Sequence, residues 1–261
     1  MAAEVPIDIT AAQRTSLRRW NIAAGIAHAV QAVLIVVLST DFTLPVTSTY
    51  ILGPPGTTTS ETVTLFNSPI ALGVALFFAL SAVAHFYVAT IGFKHYISDL
   101  SQQRNVARWV EYSISSSIMI VLISQICGIT DAWTLVAIFG VNASMILFGW
   151  LQEKYEIPGR GGWLPFIFGC IAGIVPWIII AFQLIRPGTT YPVAVPGFVW
   201  GIVITLFIFF NVFALNQWLQ YKQVGKWRNY LYGEKWYIIL SLVAKSLLAW
   251  QVFAGTLVPP N

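Results

Sequence analysis

Apolar residues run through this chain in long blocks, with polar and charged residues gathered between them. Seven blocks approach or exceed the roughly 18 residues that read as a membrane-crossing helix. Their approximate bounds are 20–40, 68–93, 106–126, 133–152, 164–185, 197–221 and 236–258. Helices are predicted for all seven, because lipid offers no partner to an unpaired backbone. Pro165 and Pro176 in the fifth block predict a capped start and a kink. The expected fold is an all-α seven-transmembrane-helix bundle, one membrane domain over residues 1–261.

The stretch between the first two spans differs. Residues 41–67 hold two threonine-rich, β-prone runs on either side of Gly53-Pro-Pro-Gly56. That pattern predicts a β-hairpin.

Composition agrees with a membrane solvent. The 261 residues are 57% hydrophobic and only 9% charged, against about 25% charged in ordinary globular domains. The segment 1–19 is polar and lacks the apolar core of a signal peptide, so the first span is expected to be retained.

Charge gives the expected direction. The 14 Lys and Arg include 12 on the face that holds the N-terminus and the loops after spans two, four and six. Arg186 alone is assigned to the opposite face, and the fourteenth, Lys245, lies inside the last span. Positive loops stay inside, which predicts a multi-pass protein of the cell membrane with a cytoplasmic N-terminus, an extracellular C-terminus and an extracellular 41–67 loop. The net charge of +4 follows this topology, and no nucleic-acid motif accompanies it. Cys127 and Cys170 are assigned to opposite faces, too far apart to bridge, and are read as free, buried thiols.

The few ionisable residues inside the spans carry the chemistry. They are Lys245 in span seven, Glu111 in span three, His28 in span one and His85 in span two. At 1.5 Å per residue all four fall roughly 8–14 Å below the N-terminal face. A lysine deep in a membrane helix costs about 2.5–3.5 kcal/mol and calls for a partner. Glu111 is the expected counterion. A desolvated amine also makes a nucleophile for a carbonyl compound. His28 and His85, with Ser81, Gln31 and Asn105, predict a hydrated polar pocket able to take a proton. A metal site is not expected, since no third ligand stands at suitable spacing. Toward the opposite face the polar residues thin to Ser124, Gln125, Thr134, Thr205 and Gln251. An ion path would need polar stations on both sides.

Aromatic and sulfur side chains surround the predicted centre. Trp109 and Tyr112 flank Glu111, while Met119 further along that span and Met145, Phe148, Gly149, Trp177, Phe210 and Trp250 on other spans sit at mid-depth. With a central lysine they predict an apolar slot for a flat polyene. A plain structural Lys–Glu pair in a transporter is the alternative that the residues alone leave open.

Longer motifs narrow the choice. Arg108-Trp-Val-Glu-Tyr-Ser-Ile-Ser-Ser-Ser117, Ile138-Phe-Gly-Val-Asn-Ala-Ser-Met-Ile-Leu-Phe-Gly-Trp-Leu-Gln-Glu-Lys154, Gly169-Cys-Ile-Ala-Gly-Ile-Val-Pro-Trp177, Ser241-Leu-Val-Ala-Lys-Ser246 and Gly53-Pro-Pro-Gly-Thr-Thr58 resemble heliorhodopsins. The resemblance covers nearly the whole chain, and the inverted orientation matches it. It implies all-trans retinal bound covalently to Lys245, Glu111 as counterion to the protonated Schiff base, and Ser81 and Ser241 nearby. It also implies a proton-accepting pocket at His28 and His85, and a homodimer formed with help from the extracellular hairpin. The implied function is light sensing in the lipid bilayer, neither enzymatic nor linked to nucleic acid. Any signalling partner would read the cytoplasmic loops or the membrane-embedded flank. The residues leave a light-driven pump or light-gated channel as the runner-up. Against it, the positions four and eleven residues after Glu111 are Ser115 and Leu122, and Ser241 stands four before Lys245. Proton-pumping rhodopsins resemble one another in carrying carboxylates at those places, and here they are missing.

Overall fold

The structure, a computed structural model, describes residues 6–56, 59–190 and 195–258, with side chains omitted for 186–190. Its elements in chain order are α1 (Ala11–Leu38), β1 (Thr43–Ile51), β2 (Ser60–Pro69), α2 (Ile70–Ala89), α3 (Phe93–Ser101), α4 (Val106–Ile126), α5 (Ala132–Tyr155), α6 (Leu164–Thr190), α7 (Gly197–Tyr221) and α8 (Tyr230–Val252). Gly225–Arg228 forms a 3-10 turn before α8, and Phe253–Leu257 continues α8 as a π turn. Among the described residues seven helices are long and apolar enough to cross a membrane, all but the short α3. Their outward faces carry Val33, Val37, Leu72, Val83, Phe182 and Ile208, an apolar coat suited to lipid rather than water.

Helix ends follow local chemistry more closely than hydropathy. The first span starts at Ala11 rather than 20, because Thr10 and Gln13 form a reciprocal capping box. Arg14, Arg18 and Arg19 are therefore helical. The predicted span 68–93 breaks into α2 and α3, with Gly92 ahead of α3. A methyl at Gly92 would stand 2.5 Å from the ring of Tyr87. The α3 helix buries Tyr96 and Leu100. It docks on α1 through Arg18 over the Phe93 ring, 4.0 Å from its centroid, and a 3.3 Å bond from Asn21 Nδ2 to the Tyr96 hydroxyl. Before that, Ile7 N donates to Ser101 O at 2.8 Å. The seventh span starts at Tyr230 rather than 236, capped by Asn229. The α6 helix continues unbroken through Pro176.

The hairpin is antiparallel, with Thr47 opposite Thr64, Ile51 opposite Ser60 and a register shift at Val46/Thr47. Thr57 and Thr58 of the predicted motif lie outside the described residues, as do residues 191–194. The strands are held to the α4–α5 turn. Thr47 N donates to Thr130 O at 2.8 Å, and Trp133 Nε1 donates to Ser48 Oγ at 2.9 Å.

In the bundle α1 packs on α2, α2 on α4, α4 on α5 and α5 on α6, while α8 packs on both α7 and α1. The main apolar core lies toward the hairpin end, around Ile35, Phe77, Phe78, Ile123, Ile202 and Leu248. The polar clusters lie toward the other end, where α1, α4 and α8 begin.

Candidate functional site

Lys245 sits four turns into α8 and is only 3% exposed. Its Nζ donates to Glu111 Oε1 at 2.8 Å and to Ser241 Oγ, one turn earlier on the same helix, at 3.1 Å. Ser81 on α2 donates to the same Glu111 oxygen at 2.6 Å. Three helices thus meet at one carboxylate, and a buried cation has the opposite charge it requires.

Lys245 also forms part of the wall of a cavity of about 160 Å³ enclosed by α4–α8. Of the predicted slot residues, Trp109, Tyr112, Met119, Met145, Gly149, Trp177, Phe210 and Ser241 line it. Trp177 stands edge-on to Phe207 and Phe210, with centroids 5.3 and 5.4 Å away. Tyr112 is fixed by its hydroxyl, which donates to Tyr237 O at 2.8 Å. Two glycines shape the wall. A Cβ at Gly149 would meet the Trp109 ring at 2.5 Å, and one at Gly173 would meet Met145 Sδ at 2.4 Å. An apolar cavity with a single amine among its described lining residues, and a carboxylate behind that amine, fits a long apolar aldehyde.

Two predicted lining residues lie elsewhere. Trp250 turns away from the cavity, and its Nε1 donates to Gln31 Oε1 at 3.1 Å. A buried indole N–H needs an acceptor, and Gln31 on the adjoining α1 supplies it. Gln31, three residues after His28 on α1, accepts this bond and donates to Ala27 O at 3.2 Å, and it does not line the cavity that reaches His85. Phe148 packs instead on Phe168, 5.9 Å between centroids. Cys127 is buried, but Cys170 is exposed on α6, so the expectation of two buried thiols is corrected. Cys170 belongs to the cavity's α6 wall, between Gly169 and Gly173, which let Phe148 and Met145 of α5 approach that helix closely.

On the other side of the Lys245–Glu111 pair lies a second, smaller cavity of about 40 Å³. His85, Glu111, Asn105, Arg108 and Glu234 line it together with Asn21. His85 Nδ1 and Asn21 Oδ1 are 2.8 Å apart, which makes Nδ1 the donor, since an amide oxygen accepts. His28 stacks on His85 with centroids 5.5 Å apart. It is fully buried, and neither ring nitrogen has a hydrogen-bond partner among the described residues. The two histidines are thus adjacent, with the cavity reaching His85.

Sequence reasoning missed the buried ionic cluster beside this cavity. Arg108 was assigned to the charged surface, yet it is buried between Glu153 of α5 and Glu234 of α8, bonded to both. Its guanidinium lies 3.9 Å from the Tyr237 ring centroid and 4.4 Å from that of Trp109. Asn105 caps α4 by accepting from Arg108 N at 3.0 Å, and its Nδ2 donates to Glu234 at 2.7 Å. One signal was available: Arg108 stands three residues before Glu111, on the same helix face.

The heliorhodopsin family model matches residues 17–257, nearly the full length, including six spanning helices entire and most of the first. No curated protein matches the chain. Members of that family are retinal-binding, light-responsive membrane proteins rather than classical enzymes. With the match running through every element that builds the lysine–carboxylate pair and its two cavities, the chain belongs to the heliorhodopsin family.

Proposed function

We propose that this protein senses light through all-trans retinal held covalently by Lys245, with Glu111 as the counterion. The observation that carries this reading is the 2.8 Å contact between Lys245 Nζ and Glu111 at the wall of an apolar cavity. Retinal joined to Nζ as a Schiff base supplies light absorption and isomerisation. Trp177, Phe210, Met119 and Met145, which line the cavity, would hold its chain. Trp109, seated against Gly149, closes the cavity toward the ionic cluster.

The protein's own groups then manage one proton. In the dark Glu111 holds the charged nitrogen of Lys245, with Ser81 and Ser241 fixing the pair's geometry. After light the nitrogen gives its proton toward Glu111 and the pocket of His85 and His28. The polar groups gather on that one side, so the proton returns from the side to which it left, without net transport. We place that side in the cytoplasm, from the excess of Lys and Arg in its loops. The hairpin, with Tyr50, Ile51, Leu65 and Phe66 exposed, is the proposed contact of a homodimer. Signal transfer to a partner would start from the cytoplasmic loops.

The test is a spectrum. Wild-type protein supplied with all-trans retinal should gain a visible band that hydroxylamine bleaches under light, and Lys245→Ala should gain none. A visible covalent pigment in Lys245→Ala defeats the assignment.

A further inference from the structure

Three acids face two bases at the N-terminal end of the bundle. Glu111, Glu153 and Glu234 stand against Lys245 and Arg108, and Glu111, Glu234 and Arg108 line the 40 Å³ cavity between the two ion-paired groups. An unbalanced negative charge in a desolvated site is costly, and a carboxyl group relieves it by taking a proton. The acids are not equivalent. Glu153 accepts from Arg108, Asn105 N, Trp109 Nε1 and the Tyr230 hydroxyl. Glu111 accepts from Lys245 and Ser81. Glu234 accepts from Arg108 and Asn105 Nδ2, is buried, and lines the cavity itself.

We propose that Glu234 is a proton-storage site, carrying a carboxylic proton in the dark and exchanging it reversibly at the N-terminal face. The groups around it are Arg108 of α4, Glu153 of α5, Tyr230 and Tyr237 of α8, and across the cavity Tyr96 of α3 and His85 of α2. A carboxyl oxygen has room for this proton beside the bond it accepts. The cavity is large enough for one or more waters, which need roughly 10–15 Å³ each and several polar partners. Those waters would link Glu234 to His85 and Glu111. Release breaks the O–H bond of Glu234; the electron pair stays on the carboxylate and the proton passes to water. Uptake reverses the step. The link to light rests on the function proposed above, whereas the stored proton does not.

The experiment therefore has two arms. In the first, the full chain in lipid without retinal is studied by infrared spectroscopy at neutral pH in H2O and D2O. A deuterium-sensitive carboxylic C=O band is expected, and Glu234→Gln should remove it. Absence of the band in the wild type, or its survival in Glu234→Gln, overturns the proposal. Circular dichroism checks folding; should Glu234→Gln not fold, Glu234→Asp must shift the band, and an unmoved band is equally fatal. In the second arm retinal is added and a pH dye follows a flash. A transient proton release, scaled to absorbing protein, is expected in the wild type and lost in Glu234→Gln; an unchanged transient overturns the proposal. A wild type that stays colourless sinks the retinal reading instead, and the infrared arm then decides the proton site alone.

Discussion

Gly149 on α5 lies directly against the indole of Trp109 on α4, so close that a methyl group there would stand 2.5 Å from the ring. The indole has no easy retreat, because Trp109 Nε1 donates to the buried Glu153 at 2.5 Å. Gly149→Ala should therefore push Trp109 into the larger cavity. Overpacking of this kind costs about 1–3 kcal/mol. The expected outcome is a lower thermal midpoint together with a smaller or displaced visible band after retinal is added. Gly140, with open space around its Cα, is the control: Gly140→Ala should change neither.

Removing the counterion separates charge from volume. Glu111→Gln keeps the size and the bond from Ser81 but leaves the Lys245 nitrogen without an anion. Absorbance of the retinal-loaded protein should move from the visible to the near ultraviolet at neutral pH. Glu111→Ala should also lose stability, since breaking a buried pair costs about 3–5 kcal/mol. A visible band unchanged in Glu111→Gln would assign the counterion elsewhere.

The Trp250–Gln31 pair predicts a contrasting behaviour. Trp250→Phe keeps the ring in the α1–α8 contact and removes one hydrogen bond to Gln31. A loss of about 1 kcal/mol is expected, with the position of the visible band unchanged, because Trp250 lies outside the cavity. Absorption spectra and melting curves of the two proteins decide this. A large spectral shift would return Trp250 to the chromophore wall.

The contrast between these residues shows what a sequence can carry. Hydropathy and the Gly53-Pro-Pro-Gly56 turn were enough for the seven spans and the hairpin, since burial in lipid is a property of whole segments. Lys245 was legible for the same reason, since a charge deep in an apolar span has no solvent to serve, and Glu111 was legible as the acid of the third span able to pair with it. Arg108, Glu153 and Glu234 were not, because each lies within a few residues of a helix end, where hydropathy assigns charges to water. At that end Ile9, Leu17, Tyr96 and Leu100 pack against Tyr230 and Leu231, and Tyr96 lines the cavity beside Arg108 and Glu234, contacts that segment hydropathy does not foresee. The rotation of α8 about its axis decides that Lys245 faces the cavity and Trp250 faces α1. Apolar periodicity cannot fix that angle in a helix surrounded by lipid and protein alike.

At the opposite end Asp131 joins the bundle to the hairpin. It caps α5, accepting from Thr134 Oγ1 and Thr134 N, both at 2.7 Å. Those bonds, the side-chain one foremost, hold its carboxyl below the ordinary carboxylate range. A group so lowered stabilises the fold above its unfolded pKa, and that contribution is lost as pH falls through the folded value. Asp131→Ala should lower stability at neutral pH by about 1 kcal/mol, the usual loss for a helix cap. The gap from wild type should narrow in acid as the carboxyl of Asp131 takes up its proton. Asp131→Asn, which caps without ionising, should keep most of the neutral-pH stability and lack this acid dependence. Thermal unfolding of the three proteins in one detergent across a pH series measures both effects. The hairpin offers a second readout, because Thr47 pairs with Thr130 and forms a bridge to Asp131 itself. Proteolysis between the strands should accelerate in Asp131→Ala at neutral pH, and equal rates in the two proteins would mean that the cap does not help to hold the hairpin.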